Sequence, residues 1–210
     1  MFSLVYFSVL LMVVFYFSEK LGLLEQYKDL YLKYSNDLVL YQQQAQKLAL
    51  TPEYMRFFWI LTGTLVFLFP LNMGLFKIYR KMDLQEKTEL SDLFAGYAGA
   101  NFFRYLSLAF FWIMVYQLVL QTLILPFLWI LITLFTAPLM FFTNKQIFET
   151  IPLNIKGLKI YGVEIVVCVL IGIFFKYMGV ISILGAVFTF PFMTAIIYAL
   201  YKVVFQEVNR

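Results

Sequence analysis

Four of the twelve acidic side chains, which have a capacity for metal chemistry, lie in one short stretch of this sequence. Asp83, Glu86, Glu89 and Asp92 follow one another within a charged linker. Carboxylates grouped in this way can bind Mg²⁺ beside the phosphate of a lipid. Because Arg80, Lys81 and Lys87 are neighbours of these acids, we interpret the linker as a solvated loop of mixed charge in preference to a metal site.

The residue inventory restricts other kinds of reaction. The chain has no histidine, which excludes His-ligated zinc, haem and non-haem iron, and also Ser-His and Cys-His nucleophiles. The single cysteine, Cys168, lies in an apolar run and is expected to be a small buried hydrophobe. Neither a phosphate-binding loop nor a dinucleotide fingerprint occurs. We therefore expect no catalytic residue, metal or cofactor, and predict that the protein is not an enzyme.

Two polar side chains inside apolar runs, Glu164 and Gln117, are candidates for an intramembrane polar site. Carboxylates within a membrane are costly and often belong to ion or proton pathways. Glu164 lies about eight residues into its predicted helix, or ~12 Å from the start, and Lys159 is nearby. We predict an interfacial position for Glu164, and a position facing the helix bundle is the alternative.

Composition predicts an all-α polytopic membrane protein. Apolar residues make up 63% of the chain, charged residues 13%, and the mean hydropathy is +0.84. The uncharged runs do not alternate polar and apolar positions, which excludes a β-barrel, and about 20 residues of helix cross a bilayer. The expected spans lie at about 57–76, 104–122, 126–143, 157–175 and 180–202. An uncleaved helix at 1–18 makes a sixth span, and a cleaved signal peptide is the alternative.

Two regions are expected: an anchor and amphipathic helix at 1–50, and a polytopic helical domain at 51–210. Within the first region Tyr27, Tyr34 and Tyr41 recur every seven residues and form one apolar stripe on a continuous helix. We interpret this stripe as the buried face of an interfacial helix, and a short coiled-coil seam for a partner is the alternative. In either case these tyrosines are a candidate partner surface.

Prolines recur in similar surroundings within three predicted spans, in "FLFPLNM", "FTAPLM" and "FTFPFM". Pro70, Pro138 and Pro191 are therefore candidate kink positions, because proline removes one helical hydrogen bond. The hydroxyls of Thr136 and Thr189 are placed to satisfy the carbonyls that the prolines free. The repeated "PLN" at 70–72 and 152–154 is interpreted as a coincidence.

The segment 90–103, "LSDLFAGYAGANFF", is predicted to be a membrane-parallel helix docked on the bundle. Ser91 is its expected N-cap, Leu93 and Phe94 belong to a candidate partner surface, and Gly96 leaves room for a close helix contact. With Met1 on the cytoplasmic side, ten basic residues lie inside and six outside. This count favours cytoplasmic termini.

The order of segments resembles a known family. "PLNMGLFKIYRKMDLQEKTELSDLFAGY" at 70–97 and "GVISILGAVFTFPFMTAIIYALYKVVF" at 179–205 resemble uncharacterised bacterial integral-membrane proteins related to the membrane domain of glycerophosphoryl diester phosphodiesterase. The resemblance covers about 55–206 and implies a multi-pass protein of the bacterial cytoplasmic (inner) membrane. It carries over no catalytic residue, and the catalytic domain of the phosphodiesterase is not part of this chain.

Two functional hypotheses follow from these patterns. The first is a non-enzymatic membrane component that interacts with membrane lipids, with a protein partner or with a second copy of itself. The alternative is a small transporter of an apolar or amphipathic solute, in which kinked helices surround a crevice. Neither hypothesis includes a nucleic acid as a partner.

Overall fold

The structure is a computed structural model that describes residues 1–122, 124–181 and 183–206, and within these ranges it is helical without a strand. It confirms the all-α, polytopic helical architecture. Among the described residues, six spans are long and apolar enough to cross a membrane: Phe2–Lys20, Pro52–Asp83, Asn101–Val119, Leu125–Thr143, Ile147–Gly179 and Val187–Phe205.

The chain divides into two compact units. The small unit is Val5–Phe67, and the large unit comprises Met1–Leu4 and Leu68–Arg210. This boundary differs from the expected one at residue 50, because the apolar helix that begins at Pro52 belongs to the small unit as far as Phe67.

The small unit contains α1 (Phe2–Lys20) from Val5 onward, α2 (Leu23–Tyr34), α3 (Leu38–Ala49) and α4 (Pro52–Leu68) as far as Phe67. The single continuous amphipathic helix predicted within the first region, 1–50, is wrong. Asp37 has an extended backbone and its Oδ1 accepts hydrogen bonds from the N–H groups of Val39 and Leu40, so it caps a new helix. Leu23, Leu30 and Leu48 form the buried cluster between α2 and α3.

The three tyrosines of the predicted stripe therefore lie on two different helices. Tyr34 and Tyr41 pack against the leucine cluster, whereas Tyr27 is exposed. A seam that needs all three on one helix is contradicted, because the turn at Asp37 interrupts the heptad.

The large unit consists of α5 to α10 and one 3₁₀ helix. Their bounds are α5 Leu71–Asp83, the 3₁₀ helix Leu90–Tyr97, α6 Asn101–Val119, α7 Leu125–Thr133, α8 Thr136–Thr143, α9 Ile147–Ile181 and α10 Ile183–Gln206. One core joins α7, α8, α9 and α10 around the fully buried Phe135, Ile165 and Val169. A second core joins α5, α6, α8 and α10 around Met73 and Phe76.

Helix α9 is longer than its predicted span of 157–175. Its first turn is closed by Glu149, whose Oε2 accepts a hydrogen bond of 2.7 Å from the Gln146 N–H. Its 35 residues extend about 52 Å at 1.5 Å per residue, well beyond the ~30 Å of hydrocarbon. A non-helical backbone at Tyr161 (φ −118°, ψ 31°) separates a charged first part from an apolar second part.

Candidate functional site

Basic residues gather at one end of the large unit, here called the basic end. The end of α5, the start of α6, the connection between α8 and α9, and the end of α10 all meet there. Arg104 of α6 donates to the carbonyls of Asn144 and Lys145 at 3.1 and 2.9 Å, and Lys202 of α10 lies 2.7 Å from Asp83 of α5. The basic end carries Lys77, Arg80, Lys81, Lys87, Arg104, Lys145, Lys156, Lys159 and Lys202.

Asp92 binds the 3₁₀ helix to α5, and this contact is called the Asp92 clamp. Its side chain is 2% exposed and lies 2.8 Å from both the Lys77 and the Lys81 ammonium groups. Its Oδ2 also accepts a hydrogen bond of 2.9 Å from the Glu89 N–H. The hydrogen bonds from Lys77, Lys81 and this N–H hold the pKa of the Asp92 carboxyl well below its usual range.

The interpretation of the acidic linker as a solvated loop is therefore wrong for Asp92. The predicted cap is also different: Glu89 and Asp92 form a reciprocal capping box, and the Ser91 hydroxyl donates to Glu89. Among the residues that the structure describes, no group of three or more acidic or cysteine side chains is arranged to hold a metal ion.

Two glycines allow the backbones of the clamp to approach closely. A Cβ at Gly74 of α5 would lie 1.9 Å from the Leu93 carbonyl oxygen, and a Cβ at Gly96 would lie 2.2 Å from that of Pro70. The close contact predicted at Gly96 agrees with this packing.

The single helix predicted over 90–103 is wrong, because the 3₁₀ helix ends at Tyr97 and α6 begins at Asn101 after a turn at Gly99 (φ 71°). Its membrane-parallel orientation remains a prediction. Leu93 is 2% exposed and is therefore a packing residue, so its assignment to a partner surface is wrong, whereas Phe94 is 45% exposed.

A second ion pair joins the last turn of α5 to α10. The Asp83 Oδ2 atom accepts hydrogen bonds of 2.7 Å from both the Tyr198 hydroxyl and the Lys202 ammonium group. Asp83 is thus occupied by its own partners, as Asp92 is. Asp83 and Asp92, two of the four acids in the predicted cluster, therefore bind different cations. Asp83 pairs with Lys202, and Asp92 pairs with Lys77 and Lys81.

Two cavities open at the basic end, on either side of Tyr201. The larger has a volume of about 310 Å³ and lies among α8, α9 and α10, with Lys145 and Lys156 in its wall. The smaller has a volume of about 160 Å³ and is lined by Arg80, Phe142, Tyr198 and Tyr201. No acidic residue lines either cavity, so each presents a net positive wall.

The larger cavity has an apolar side that continues onto the exposed surface of α9. The lining is completed by Leu139, Thr143, Leu153, Gly157, Ile160, Val204 and Phe205. Ile160 is 54% exposed, and Val163 and Val167 continue this face along α9. The cavity therefore combines cations at one side with an apolar exit at the other.

A buried polar network sets the positions of α8 and α9 beneath the larger cavity. Asn154 is fully buried, and its Oδ1 accepts a hydrogen bond of 2.7 Å from the Phe135 N–H at the break between α7 and α8. Its Nδ2 donates to the Thr150 carbonyl at 2.8 Å and to the Thr136 hydroxyl at 3.3 Å. The helix break leaves the Phe135 N–H without a backbone acceptor, and the Asn154 side chain supplies one.

The three proline positions behave differently. Pro70 precedes α5 at an interruption of the helix, and Pro138 follows the break at Leu134 and Phe135, whereas Pro191 lies within a continuous α10. The roles expected for the threonines are not observed. Thr136 bonds to Thr150 and Asn154, and the Thr189 hydroxyl donates to the Gly185 carbonyl rather than to the Val187 carbonyl that Pro191 frees.

Glu164 and Gln117 do not form a common site. Both are exposed, Glu164 three residues beyond the break at Tyr161 and Gln117 in the last turn of α6. Because α6 and α9 both begin at the basic end, Gln117 lies near the far end of its helix and Glu164 near the start of the apolar part of its own. The side chain of Glu164 is outside the cores of the large unit, and its interfacial position remains a prediction.

The residues that the sequence reasoning missed are Lys145, Lys156, Tyr201 and Asn154. The only signal for the lysines was the count of basic residues on one side, which does not distinguish paired from unpaired cations. Comparisons with protein-family models, curated proteins and solved structures find no match to this chain. The family resemblance of residues 55–206 therefore remains a prediction.

Proposed function

We propose that the protein is a non-enzymatic component of a bacterial cytoplasmic membrane that binds anionic lipid at the basic end of its large unit. The observation that carries this proposal is the larger cavity, where Lys145 and Lys156 meet an apolar wall at the end of three apolar helices. An anionic phospholipid matches this arrangement, because it joins a negatively charged phosphate to apolar acyl chains. Basic pockets between membrane helices are known binding sites for such head groups.

The distribution of charge supports a cytoplasmic orientation for the basic end. Of the basic residues that the structure describes in the large unit, Lys176 alone lies toward the opposite end. An excess of Lys and Arg is typical of cytoplasmic connections. The cytoplasmic surface of a membrane is negative, so lipid and site have complementary charge there.

The test is lipid binding by the full chain purified in a neutral detergent. Native mass spectrometry of the protein mixed with phosphatidylglycerol or phosphatidylcholine should show retained phosphatidylglycerol at concentrations where phosphatidylcholine is lost. Equal retention of the two lipids would contradict the proposal. Saturable solute flux in reconstituted vesicles, without anionic lipid retention, would favour the transporter alternative.

A further inference from the structure

The two cavities share one wall residue, and this arrangement suggests a more specific ligand. Tyr201 lines both the 310 Å³ and the 160 Å³ cavity. Its ring stacks on Phe142 at 5.3 Å and packs against Phe205 at 5.5 Å, so it forms a fixed partition. Positive side chains lie on each side of this partition, Lys145 and Lys156 on one and Arg80 on the other.

The cations of the two cavities are not neutralised by carboxylates of the protein. Lys145, Lys156 and Arg80 make no ion pair with any residue that the structure describes, although the Arg80 guanidinium lies over the Phe142 ring at 5.4 Å. Asp83, three residues after Arg80 in the chain, is held by Lys202 and Tyr198. The excess positive charge is therefore available to an anionic ligand.

The Tyr201 hydroxyl is a further unoccupied donor at the partition. Tyr201 is 6% exposed, and its hydroxyl makes no hydrogen bond to a residue within the described ranges. Because Tyr201 lines both cavities, its hydroxyl is available to donate a hydrogen bond to a phosphate oxygen bound there. The two cavities thus share this donor, and each has its own cations: Lys145 and Lys156 in the larger and Arg80 in the smaller.

We propose that the two cavities bind the two phosphates of one diphosphate lipid of the cardiolipin type, in which a short glycerol bridge passes Tyr201. This inference rests on the proposed function and names its lipid class. The phosphate in the larger cavity meets Lys145 and Lys156, and the one in the smaller cavity meets Arg80. The acyl chains leave over Ile160 and along the exposed apolar face of α9.

The experiment compares cardiolipin with phosphatidylglycerol at equal phosphate concentration, by native mass spectrometry of the full chain in neutral detergent. We expect cardiolipin to bind about tenfold more tightly. Lys156→Gln and Arg80→Gln should each weaken cardiolipin binding about fivefold, the effect of one basic residue at an anionic surface. Arg80→Gln should also remove most of the preference over phosphatidylglycerol, because a single phosphate needs only one cavity.

Lys159→Gln is the matched control, because Lys159 is one turn from Lys156 on α9, carries the same charge and lines neither of these two cavities. It should change cardiolipin binding by less than about twofold. Tyr201→Phe keeps the ring and should weaken cardiolipin binding, while thermal midpoints of all variants verify folding. Inorganic pyrophosphate, the probe for a free diphosphate, should not displace the lipid.

Distinct results overturn the two proposals. The two-cavity site would be overturned if cardiolipin and phosphatidylglycerol bound equally per phosphate. Equal effects of Lys156→Gln and Lys159→Gln would overturn it too. Either result would leave anionic lipid binding intact. Displacement of cardiolipin by pyrophosphate would assign the site to a soluble ligand. Failure to retain any anionic lipid would overturn the proposed function itself.

Discussion

The Asp92 clamp and the larger cavity both place lysines at the basic end, but they surround those lysines differently. In the clamp, Lys77 and Lys81 converge on one buried carboxylate at 2.8 Å each. In the cavity, Lys145 and Lys156 have no carboxylate among the lining residues. The same residue type is therefore structural where its counter-charge is internal, and is available to a ligand where the counter-charge must come from outside.

The clamp is also more tightly packed than the larger cavity. The clamp brings the backbone of the 3₁₀ helix so close to α5 that glycine is required at Gly74 and Gly96. The cavity lies among α8, α9 and α10 and is lined by Gly157 and Val204, where α9 contacts α10. A closed contact stabilises the fold, whereas an open one leaves volume for a ligand.

The largest effect is expected for Gly74→Ala, which would break the clamp. A Cβ at this position lies 1.9 Å from the Leu93 carbonyl oxygen, so the 3₁₀ helix must move. We expect a loss of about 3 kcal/mol or more in the free energy of unfolding, measured as a fall of the thermal midpoint in detergent. Gly63→Ala is the control, since nothing lies within 4 Å of its added Cβ. A similar midpoint for the two variants would contradict the close contact.

The next largest effect concerns acid stability through Asp92. Because the pKa of the folded state lies below the ordinary value of 3.8, the ionised carboxylate stabilises the protein fully above that pH. The stabilisation is lost as the pH falls below 3.8 toward the folded pKa, since the unfolded chain takes up its proton first. Asp92→Asn should lower the thermal midpoint at pH 7 and flatten its decline between about pH 4 and 2. Parallel acid curves for the two proteins would exclude Asp92 as the cause.

A smaller effect is expected for Asn154→Ala, which tests the polar network that supports the larger cavity. The variant leaves the buried Phe135 N–H without its acceptor and should cost about 2 kcal/mol of unfolding free energy. Lipid retention should fall together with stability, because α8 and α9 carry Lys145 and Lys156. Asn36→Ala, at an exposed residue, serves as the control. An unchanged midpoint for Asn154→Ala would show that the network does not support the cavity.

The smallest effect is expected for Glu164→Gln. Glu164 is exposed and lies outside both cavities, so the thermal midpoint should move by no more than the equivalent of about 0.5 kcal/mol. Retention of cardiolipin should be unchanged in the same samples. Loss of a proton-dependent flux in vesicles carrying this variant would instead support the transporter alternative.

Sequence patterns predicted the parts of the site that depend on local spacing. Gly96 was expected to allow a close contact with the bundle, and the structure brings Gly96 against Pro70. Leu93 was expected at a partner surface, and the structure buries it instead. The same reasoning failed for Asp92, because its partners Lys77 and Lys81 come from another helix. It also failed for the tyrosine stripe, because Asp37 caps a new helix and so interrupts the continuous helix that the heptad spacing requires.

The sequence by itself determined that this protein is a bundle of apolar helices with a basic end. A backbone in hydrocarbon must satisfy its own hydrogen bonds, so long uncharged runs become helices. Only the tertiary structure decided which cations are paired and which face a cavity. That distinction depends on distances between α5, α8, α9 and α10, and electrostatic and packing interactions act over a few ångströms in space regardless of separation along the chain.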